Sequence, residues 1–395
     1  MTAPAATTGR RARDAVALAF VLNGFCFAAL VTRFPEVRET LSLTNGELGL
    51  LLLAIAAGSV LALPSSGRLI EWAGAAGVVR AGSLLVATGL LVAAVGTTTT
   101  RSVPLVAAGF FVYGVGTGVW DVAMNVEGAA VEQTLGRSVM PRFHAGWSMG
   151  SIAGAAVGVP LLARDVPMPV HLAAAGVLDA ALVLGGARAF LPSVPVGDRA
   201  PRGSSAWREP RTLAIGLLVL AFALTEGTAN DWLALAIIDG YDTPHWVGVA
   251  GFAGFVTAMT VGRLGGTALL DRFGRVPVLR ATALAAIAGV LLVVLGQHPV
   301  LVGLGIVVWG LGASLGFPVG MSAAADDPAR SAARVSVVAT IGYAAFLGGP
   351  PLLGFVGDQV GTLNALLVVA VLLVPSALVV GSAREPARRG AEDRH

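Results

Sequence analysis

Twelve long apolar runs dominate this sequence, and they restrict it to a chain that crosses a membrane many times. Each run has about 18 or more residues, the length that a helix needs to cross ~30 Å of hydrocarbon. The runs lie near residues 14–34, 46–69, 78–97, 103–131, 142–163, 169–191, 212–238, 246–270, 277–296, 299–322, 335–356 and 362–381. With 55% hydrophobic and 12% charged residues, a soluble globule would have more apolar side chain than it could cover. We therefore predict an all-α membrane protein of twelve transmembrane helices.

The arginines predict the orientation of these spans. All 26 basic residues are arginine, and all but four of them fall in the two tails and in every second loop. The exceptions are Arg33, Arg38, Arg101 and Arg164. Because cytoplasmic loops carry the excess of basic residues, both termini are expected in the cytoplasm. We expect the chain to lie as a monomer in the inner membrane of a bacterium.

The two halves of the chain repeat each other. A shift of 200 residues aligns the turn between spans 2 and 3 with the turn between spans 8 and 9, so that Gly74 falls on Gly274. A shift of 196 residues aligns span 4 with span 10, so that Gly114 falls on Gly310. The repeat predicts two pseudo-symmetric six-helix bundles, at 1–191 and 212–383, with a linker at 192–211 and a cytoplasmic tail at 384–395. Such duplicated bundles suit alternating access, in which one central cavity opens to each side in turn.

The loop TALLDRFGRVPVLR, residues 267–280, resembles the signature loop of the major facilitator superfamily. That signature has glycine, three residues, Asp-Arg, one residue and Gly-Arg; here Thr267 replaces the first glycine. The first-half copy at 67–80 is more degraded, with Glu71 and Trp72 in place of Asp-Arg. From the residues alone, Asp271 either pairs with arginines at helix ends, latching one conformation, or merely ends the helices. The predicted latch residues are Glu71, Asp271, Arg272 and Arg275.

Residues 114–154 resemble a narrower group, the fucose-permease-like branch of that superfamily. The resemblance rests on Gly-x-Gly at 114–116, a polar residue at Asp121, an amide at Asn125 and a polar residue at His144 near the start of span 5. It implies a proton-coupled carrier of small polar solutes, with spans 1, 4, 7 and 10 lining the cavity. At the positions of Asp121 and His144 the sugar permease itself has amides. The resemblance therefore does not imply that this chain transports the same sugar.

Acidic residues in the middle of spans 4 and 7 are the candidate proton-coupling groups. An isolated ionised side chain in hydrocarbon costs ~3 kcal/mol or more, so it must be paired, hydrated or neutral. No arginine lies in the central part of any predicted span, and we expect Asp121 and Glu226 to lack a cationic partner. Such carboxylates could bind a proton facing one side and release it facing the other. His144 is the third candidate, because histidine changes charge near physiological pH, although an interfacial position is the alternative.

Amides and aromatic rings near these groups form the predicted substrate site. Asn125 and Asn230 each lie four residues after a candidate carboxylate and therefore share its helix face. A shift of 203 residues places Glu226 on Asn23, so span 1 offers an amide at an equivalent depth. The aromatic residues that could stack on a solute, unless they only pack between helices, are Tyr113, Trp120, Trp147 and Trp309.

The remaining sequence contains no pattern of an enzyme. It has neither a nucleotide-binding Gly-x-x-x-x-Gly-Lys motif nor any lysine, and its five histidines include no metal-ligand pair. We expect no catalytic site, cofactor, metal or nucleic-acid partner; the expected partners are a small-molecule solute, protons and lipid. The predicted function is proton-coupled uptake of a small polar, sugar-like solute by alternating access. The alternative is proton-driven export of an organic cation, drug or secondary metabolite.

Overall fold

Helices make up almost all of the described chain. The computed structural model describes residues 3–135, 139–191, 206–324, 326 and 330–384, and no strand occurs in those ranges. The α-helices are α1 Ala3–Val31, α2 Phe34–Thr40, α3 Asn45–Thr98, α4 Val103–Leu135, α5 Met140–Leu162, α6 Met168–Gly186, α7 Pro210–Tyr241, α8 His245–Phe273, α9 Arg275–Leu295, α10 Pro299–Ala313, α11 Gly316–Ala324, α12 Ser331–Val360, α13 Thr362–Ala365 and α14 Leu367–Val379. The all-α prediction is confirmed for the described residues.

The twelve predicted spans are distributed over eleven long apolar helical segments of the described chain. The discrepancy lies in α3, which has 54 residues and would be ~81 Å long as one straight helix. At Gly74 its backbone leaves the helical region, with φ 69° and ψ 161°. The kink divides α3 into spans 2 and 3. The equivalent Gly274 has φ 77° and separates α8 from α9, so the predicted repeat extends to backbone conformation.

The beginning of α3 follows the local sequence. Thr44 accepts a hydrogen bond from the Glu47 backbone N–H, and the Glu47 carboxylate accepts one from the Thr44 N–H at 2.8 Å. This capping box, formed by two residues three positions apart, satisfies two backbone donors at the helix start.

Glycines allow α1 and α5 to pack closely. A Cβ added at Gly150 or Gly154 would collide with the carbonyl oxygen of Val21 or Phe25, respectively. In the opposite direction, a Cβ added at Gly24 would collide with the backbone of Trp147. The small-residue face of span 5 is therefore a packing surface for α1, as expected where helices associate without a hydrophobic driving force.

The described residues group into two compact units. The first contains those of 1–198 together with 228–260 and 347–366, and the second contains those of 199–227, 261–346 and 367–395. The first unit thus combines the first half of the sequence with parts of α7, α8 and α12. Within the predicted linker, residues 192–205 lie outside the described part of the chain and 206–208 form a 3₁₀ helix. Of the predicted tail, 385–395 also lie outside it.

Candidate functional site

Asp121 and Asn125 lie one turn apart on α4, in the first unit. The Asn125 side-chain amide donates to the Asp121 backbone carbonyl at 2.8 Å and to its carboxylate at 3.3 Å. Both side chains are partly buried. Asp121 makes no ion pair with any residue that the structure describes. The arrangement offers a carboxylate whose side-chain partner, within the described ranges, is a neutral amide.

Asn23 and Trp147 join α1 to α5 in the same unit. The indole Nε1–H of Trp147 donates to the Asn23 side-chain oxygen at 2.9 Å. The Phe27 ring lies 5.4 Å from the Trp147 ring, centroid to centroid. Trp147 is partly exposed, whereas Asn23 is buried. The hydrogen bond and the ring contact therefore fix the orientation of an aromatic face that is still accessible.

Glu226 has a cationic partner, so the expectation that it is unpaired is wrong. The Arg263 guanidinium donates to the Glu226 carboxylate at 2.8 Å, and the two side chains are 29% and 13% exposed, respectively. Arg263 belongs to α8, which continues ten residues beyond it to Phe273. Its long side chain extends to α7. The position of an arginine in the sequence does not show which neighbouring helix its side chain contacts. Both residues belong to the second unit.

Span 10 is interrupted next to this pair. Helix α10 ends at Ala313 and α11 begins at Gly316. Arg263 Nε donates to the Ser314 carbonyl, at 3.3 Å, where the first of the two helices ends. A guanidinium at a helix C-terminus is favourable because that end carries partial negative charge. Arg263 therefore connects α7, α8 and the break in span 10, and it was absent from the sequence-based site.

Three of the four predicted aromatic residues belong to helix packing. Trp120 and Trp309 are 0% exposed and Tyr113 is 2% exposed. Trp120 packs against Gly82, Tyr113 against Gly89 and Trp309 against Gly289. Assigning them to a solute surface was wrong, because full burial between helices leaves no accessible ring face in this structure. The sequence could not distinguish them from Trp147, since the rotation of each helix decides which rings are covered.

The other predicted residues occupy varied positions. His144, on α5, is exposed, and its ring lies edge-on to Phe20 with centroids 5.2 Å apart. Asn230 is buried on α7, one turn beyond Glu226. The structure contains each of these side chains in a long apolar helix, as predicted, and does not test their roles.

The predicted cytoplasmic latch differs from the contacts observed. Glu71 and Asp271 are exposed and make no ion pair with any described residue, and Arg272 lies over the Phe273 ring at 5.2 Å. Arg275 instead donates to Asp326 at 2.7 Å. Asp271 is the wrong carboxylate because it projects from the exposed last turn of α8.

Two acidic residues, Asp326 and Glu209, each bind a pair of arginines in the second unit. Asp326 accepts from Arg275 and, at 2.8 Å, from Arg211. Glu209, immediately before α7, accepts from Arg334 at 2.6 Å and from Arg330 at 3.1 Å. The hydrogen bond from Arg334 holds the pKa of the Glu209 carboxyl below its usual range. The sequence analysis missed both acids; Glu209 carries one usable signal, an acidic residue directly before a proline at a helix start.

Asp179 on α6 is a buried carboxylate. Ser83 of α3 donates to Asp179 at 2.7 Å, and both residues are 0% exposed. The bond joins span 3 to span 6 inside the first unit. It is a polar helix-to-helix contact of the kind that stabilises membrane bundles.

Comparisons with known proteins agree with this architecture. Residues 16–333 match the family model described as Major Facilitator Superfamily. The chain is 32% identical over 346 residues to the "Uncharacterized transporter y4wD" of Sinorhizobium fredii, covering 87% of this chain and 90% of the relative. It is also 32% identical over 377 residues to an uncharacterized MFS-type transporter of Yersinia pestis, covering 94% of each.

Solved structures share the fold. The nucleoside transporter NupG has a TM-score of 0.74 at 16% identity, over 95% of this chain and 98% of that one. A variant of the E. coli fucose:proton symporter FucP has a TM-score of 0.64 at 17% identity, over 95% of this chain and 98% of that one. Identities this low support the architecture and nothing finer. The match of the family model over most of the chain, together with the relatives at 32% identity, shows that this chain belongs to the major facilitator superfamily of membrane transporters.

Proposed function

We propose that this chain is a proton-coupled carrier that takes up a small polar solute by alternating access. The observation that carries the proposal is Asp121, a partly buried carboxylate on a transmembrane helix that has an amide neighbour and no described cationic partner. In an apolar environment such a group favours the uncharged, protonated form until water reaches it. A change of access during transport would therefore change its proton occupancy.

The Glu226–Arg263 pair supports Asp121, rather than Glu226, as the group that carries the proton. The Glu226 carboxylate already accepts a hydrogen bond from the Arg263 guanidinium at 2.8 Å, whereas the described side-chain partner of Asp121 is the neutral amide of Asn125. We therefore revise the predicted role of Glu226: it keeps Arg263 in place beside the Ser314 carbonyl. Interrupted transmembrane helices are typical of transporter binding sites, and the break in span 10 lies at this carbonyl.

Solute recognition in the first unit is proposed for Asn23 and Trp147. The bond between them leaves the side-chain amide N–H groups of Asn23 as further donors and holds the Trp147 ring in one orientation. An aromatic face next to an amide suits a flat or ring-shaped solute that carries hydroxyl groups. Two structural neighbours are named for solutes of this kind: one is a nucleoside transporter and the other is a fucose:proton symporter. Asn125 and Asn230 remain proposed contributors on α4 and α7.

His144 is the second titratable group proposed for proton movement. It is exposed on α5, one turn before Ser148 and three residues before Trp147. The role proposed for it, relaying protons, is separable from solute binding. Replacement of His144 by Gln would slow proton-driven accumulation and leave solute exchange at equal pH unchanged.

The decisive experiment compares accumulation with exchange. The purified protein is reconstituted into liposomes with an imposed pH gradient and offered radiolabelled L-fucose, uridine, other sugars and nucleosides, and cationic dyes. For a solute that is taken up, Asp121→Asn should abolish accumulation above the external concentration but allow exchange of internal for external solute. Accumulation by Asp121→Asn equal to that of the unchanged protein would remove Asp121 as the coupling group.

The same assay tests direction and coupling ion. Uptake predicts that protons enter together with the solute, so solute addition should make the liposome interior more acid. Extrusion of a cationic dye against inward proton flux would favour export instead. A sodium gradient at equal pH is the control for the coupling ion, and accumulation driven by sodium alone would contradict proton coupling.

A further inference from the structure

The two halves of the sequence meet in a hydrogen-bonded cluster on one face of the first unit. This face, here called the far face, is the one where α2 leads into α3 and α7 leads into α8. Arg38 donates through both terminal nitrogens to the Asp239 carboxylate. Thr362 also donates to Asp239, at 2.6 Å. A two-nitrogen guanidinium–carboxylate contact is the geometrically most specific type of ion pair.

Asn45 connects this ion pair to the rest of the cluster. Its side-chain oxygen accepts from Arg38 at 2.9 Å, and its amide nitrogen donates to Thr362 at 3.1 Å. Arg38 and Asn45 come from the first half of the sequence, and Asp239 and Thr362 come from the second. The four side chains therefore form a closed ring of hydrogen bonds that joins the two halves of the sequence.

Asp358 adds a helix cap supplied by the other half of the chain. Its two carboxylate oxygens accept from the backbone N–H groups of Asn45 and Gly46, each at 2.8 Å. These are the first donors of α3, and the Thr44 hydroxyl satisfies the next one, at Glu47. An anionic group at a helix N-terminus is favoured by the helix dipole as well as by the hydrogen bonds. If α12 separated from α3, both backbone N–H groups would lose the Asp358 carboxylate and would have to bind water instead.

The backbones beneath this cap are in close contact. A Cβ added at Gly49 would collide with the Pro350 backbone, and one added at Gly354 would collide with the backbone of Asn45. Glycine on both helices therefore permits direct contact of α3 with α12. The cluster and this glycine contact form one continuous surface, and every residue in it belongs to the first unit.

We propose that Arg38, Asn45, Asp239, Asp358 and Thr362 form a gate that closes the far face and must separate once in each transport cycle. The proposal rests on the proposed function, because only a carrier needs this contact to open. The charged groups are partly exposed, so water can replace their hydrogen bonds, as reversible opening requires. Asp358 is the key positioning residue, because it lies in the second half of the sequence and binds the N-terminus of α3, which belongs to the first half.

The first test is a cross-link across the gate. A Cβ at position 357 would lie 3.5 Å from the Asn45 Cβ, within the roughly 3.5–4.5 Å that a disulfide needs. The pair Asn45→Cys with Gly357→Cys should therefore form a disulfide under mild oxidation, detected by mass spectrometry. The native Cys26 is fully buried and can be retained, and the two single variants serve as controls. Failure of the pair to cross-link would overturn the gate.

The second test measures opening without any solute. Thr362 is 4% exposed, so a cysteine placed there by Thr362→Cys should react slowly with a membrane-impermeant maleimide. Adding Asp358→Asn removes the charged cap and should accelerate the reaction about tenfold, the scale of a lost charge-assisted hydrogen bond. The matched control is Asp165→Asn, an exposed acid in the α5–α6 turn on the same face, which should leave the rate unchanged. An equal rate with and without Asp358→Asn would overturn the gate.

The outcomes for the gate and for transport can be separated. The protein could show cross-linking and faster labelling and yet accumulate no solute of the panel against a gradient. That result would support the opening of the gate and contradict the proposed function. Undiminished solute uptake by the fully cross-linked pair would contradict the gate and leave the carrier function intact. Block of uptake by oxidation, reversed by a reducing agent, is the result expected from both proposals.

Discussion

The Arg263 guanidinium donates a 2.8 Å hydrogen bond to the Glu226 carboxylate between α8 and α7. The two charges are mostly shielded from water, so each depends on the other for compensation. The finding changes the role of Glu226 from an isolated proton acceptor to one partner of a neutral pair, and it leads to a prediction about stability.

Breaking this pair on one side should cost more than removing it completely. Glu226→Gln leaves the guanidinium without its counter-charge, and Arg263→Gln leaves the carboxylate alone. Each should lower the free energy of unfolding by about 3 kcal/mol, the scale for a half-removed buried pair. The double variant should be more stable than either single variant, as measured by thermal unfolding in detergent. Additive losses would show that the pair contributes nothing as a unit.

The second prediction uses the contrast between two glycines. Gly150→Ala places a methyl group against the Val21 carbonyl oxygen, so α1 and α5 must separate, at a cost of roughly 1–3 kcal/mol or more. Gly185, on α6, has nothing within 4 Å of an added Cβ. Gly185→Ala should therefore be neutral or stabilise the helix by a few tenths of a kcal/mol, up to about 1. Melting temperatures in detergent measure both, and equal melting temperatures would contradict the close packing of α1 and α5.

Features with a local or repeated cause were predictable from the sequence. The apolar runs determine the spans because the hydrocarbon thickness is fixed, and the repeat placed Gly74 and Gly274 at equivalent turns. The capping box at Thr44 was predictable because both of its partners lie within one helical turn. In each case the deciding interaction is with lipid or with residues nearby in sequence.

Features that depend on how separate helices are rotated and displaced were not predictable. Arg263 lies 37 positions from Glu226, and no local pattern gives the depth of one span relative to another. Trp120 and Trp147 both lie in long apolar helices, yet one is covered and the other is partly exposed. The far-face gate was missed for the same reason, because Asp358 lies 313 positions from Asn45.

The third prediction concerns the pH dependence of stability in the second unit. Hydrogen bonding by Arg334, supported by Thr212 and Arg330, lowers the pKa of Glu209 in the folded protein. A group with a lowered folded-state pKa stabilises the fold above its unfolded value, about 4.3 for glutamate, and this contribution is lost as pH falls through the folded value. The melting temperature should therefore fall as pH is lowered through this acid range. In Glu209→Gln the fall should be smaller; an unchanged profile would mean that Glu209 makes no pH-dependent contribution.

The final prediction distinguishes the ring of Trp147 from its N–H group. If the ring contacts the solute and the N–H only positions it on Asn23, Trp147→Phe should retain uptake with a KM raised about fivefold, the scale of one lost hydrogen bond. Trp147→Ala should lose the aromatic face and raise KM much further, with both values taken from initial uptake rates in liposomes. Trp72→Phe is the matched control, since Trp72 is 85% exposed on α3 and should leave KM unchanged. An unaltered KM in Trp147→Ala would exclude ring contact with the solute, because truncation to alanine removes every atom that could stack.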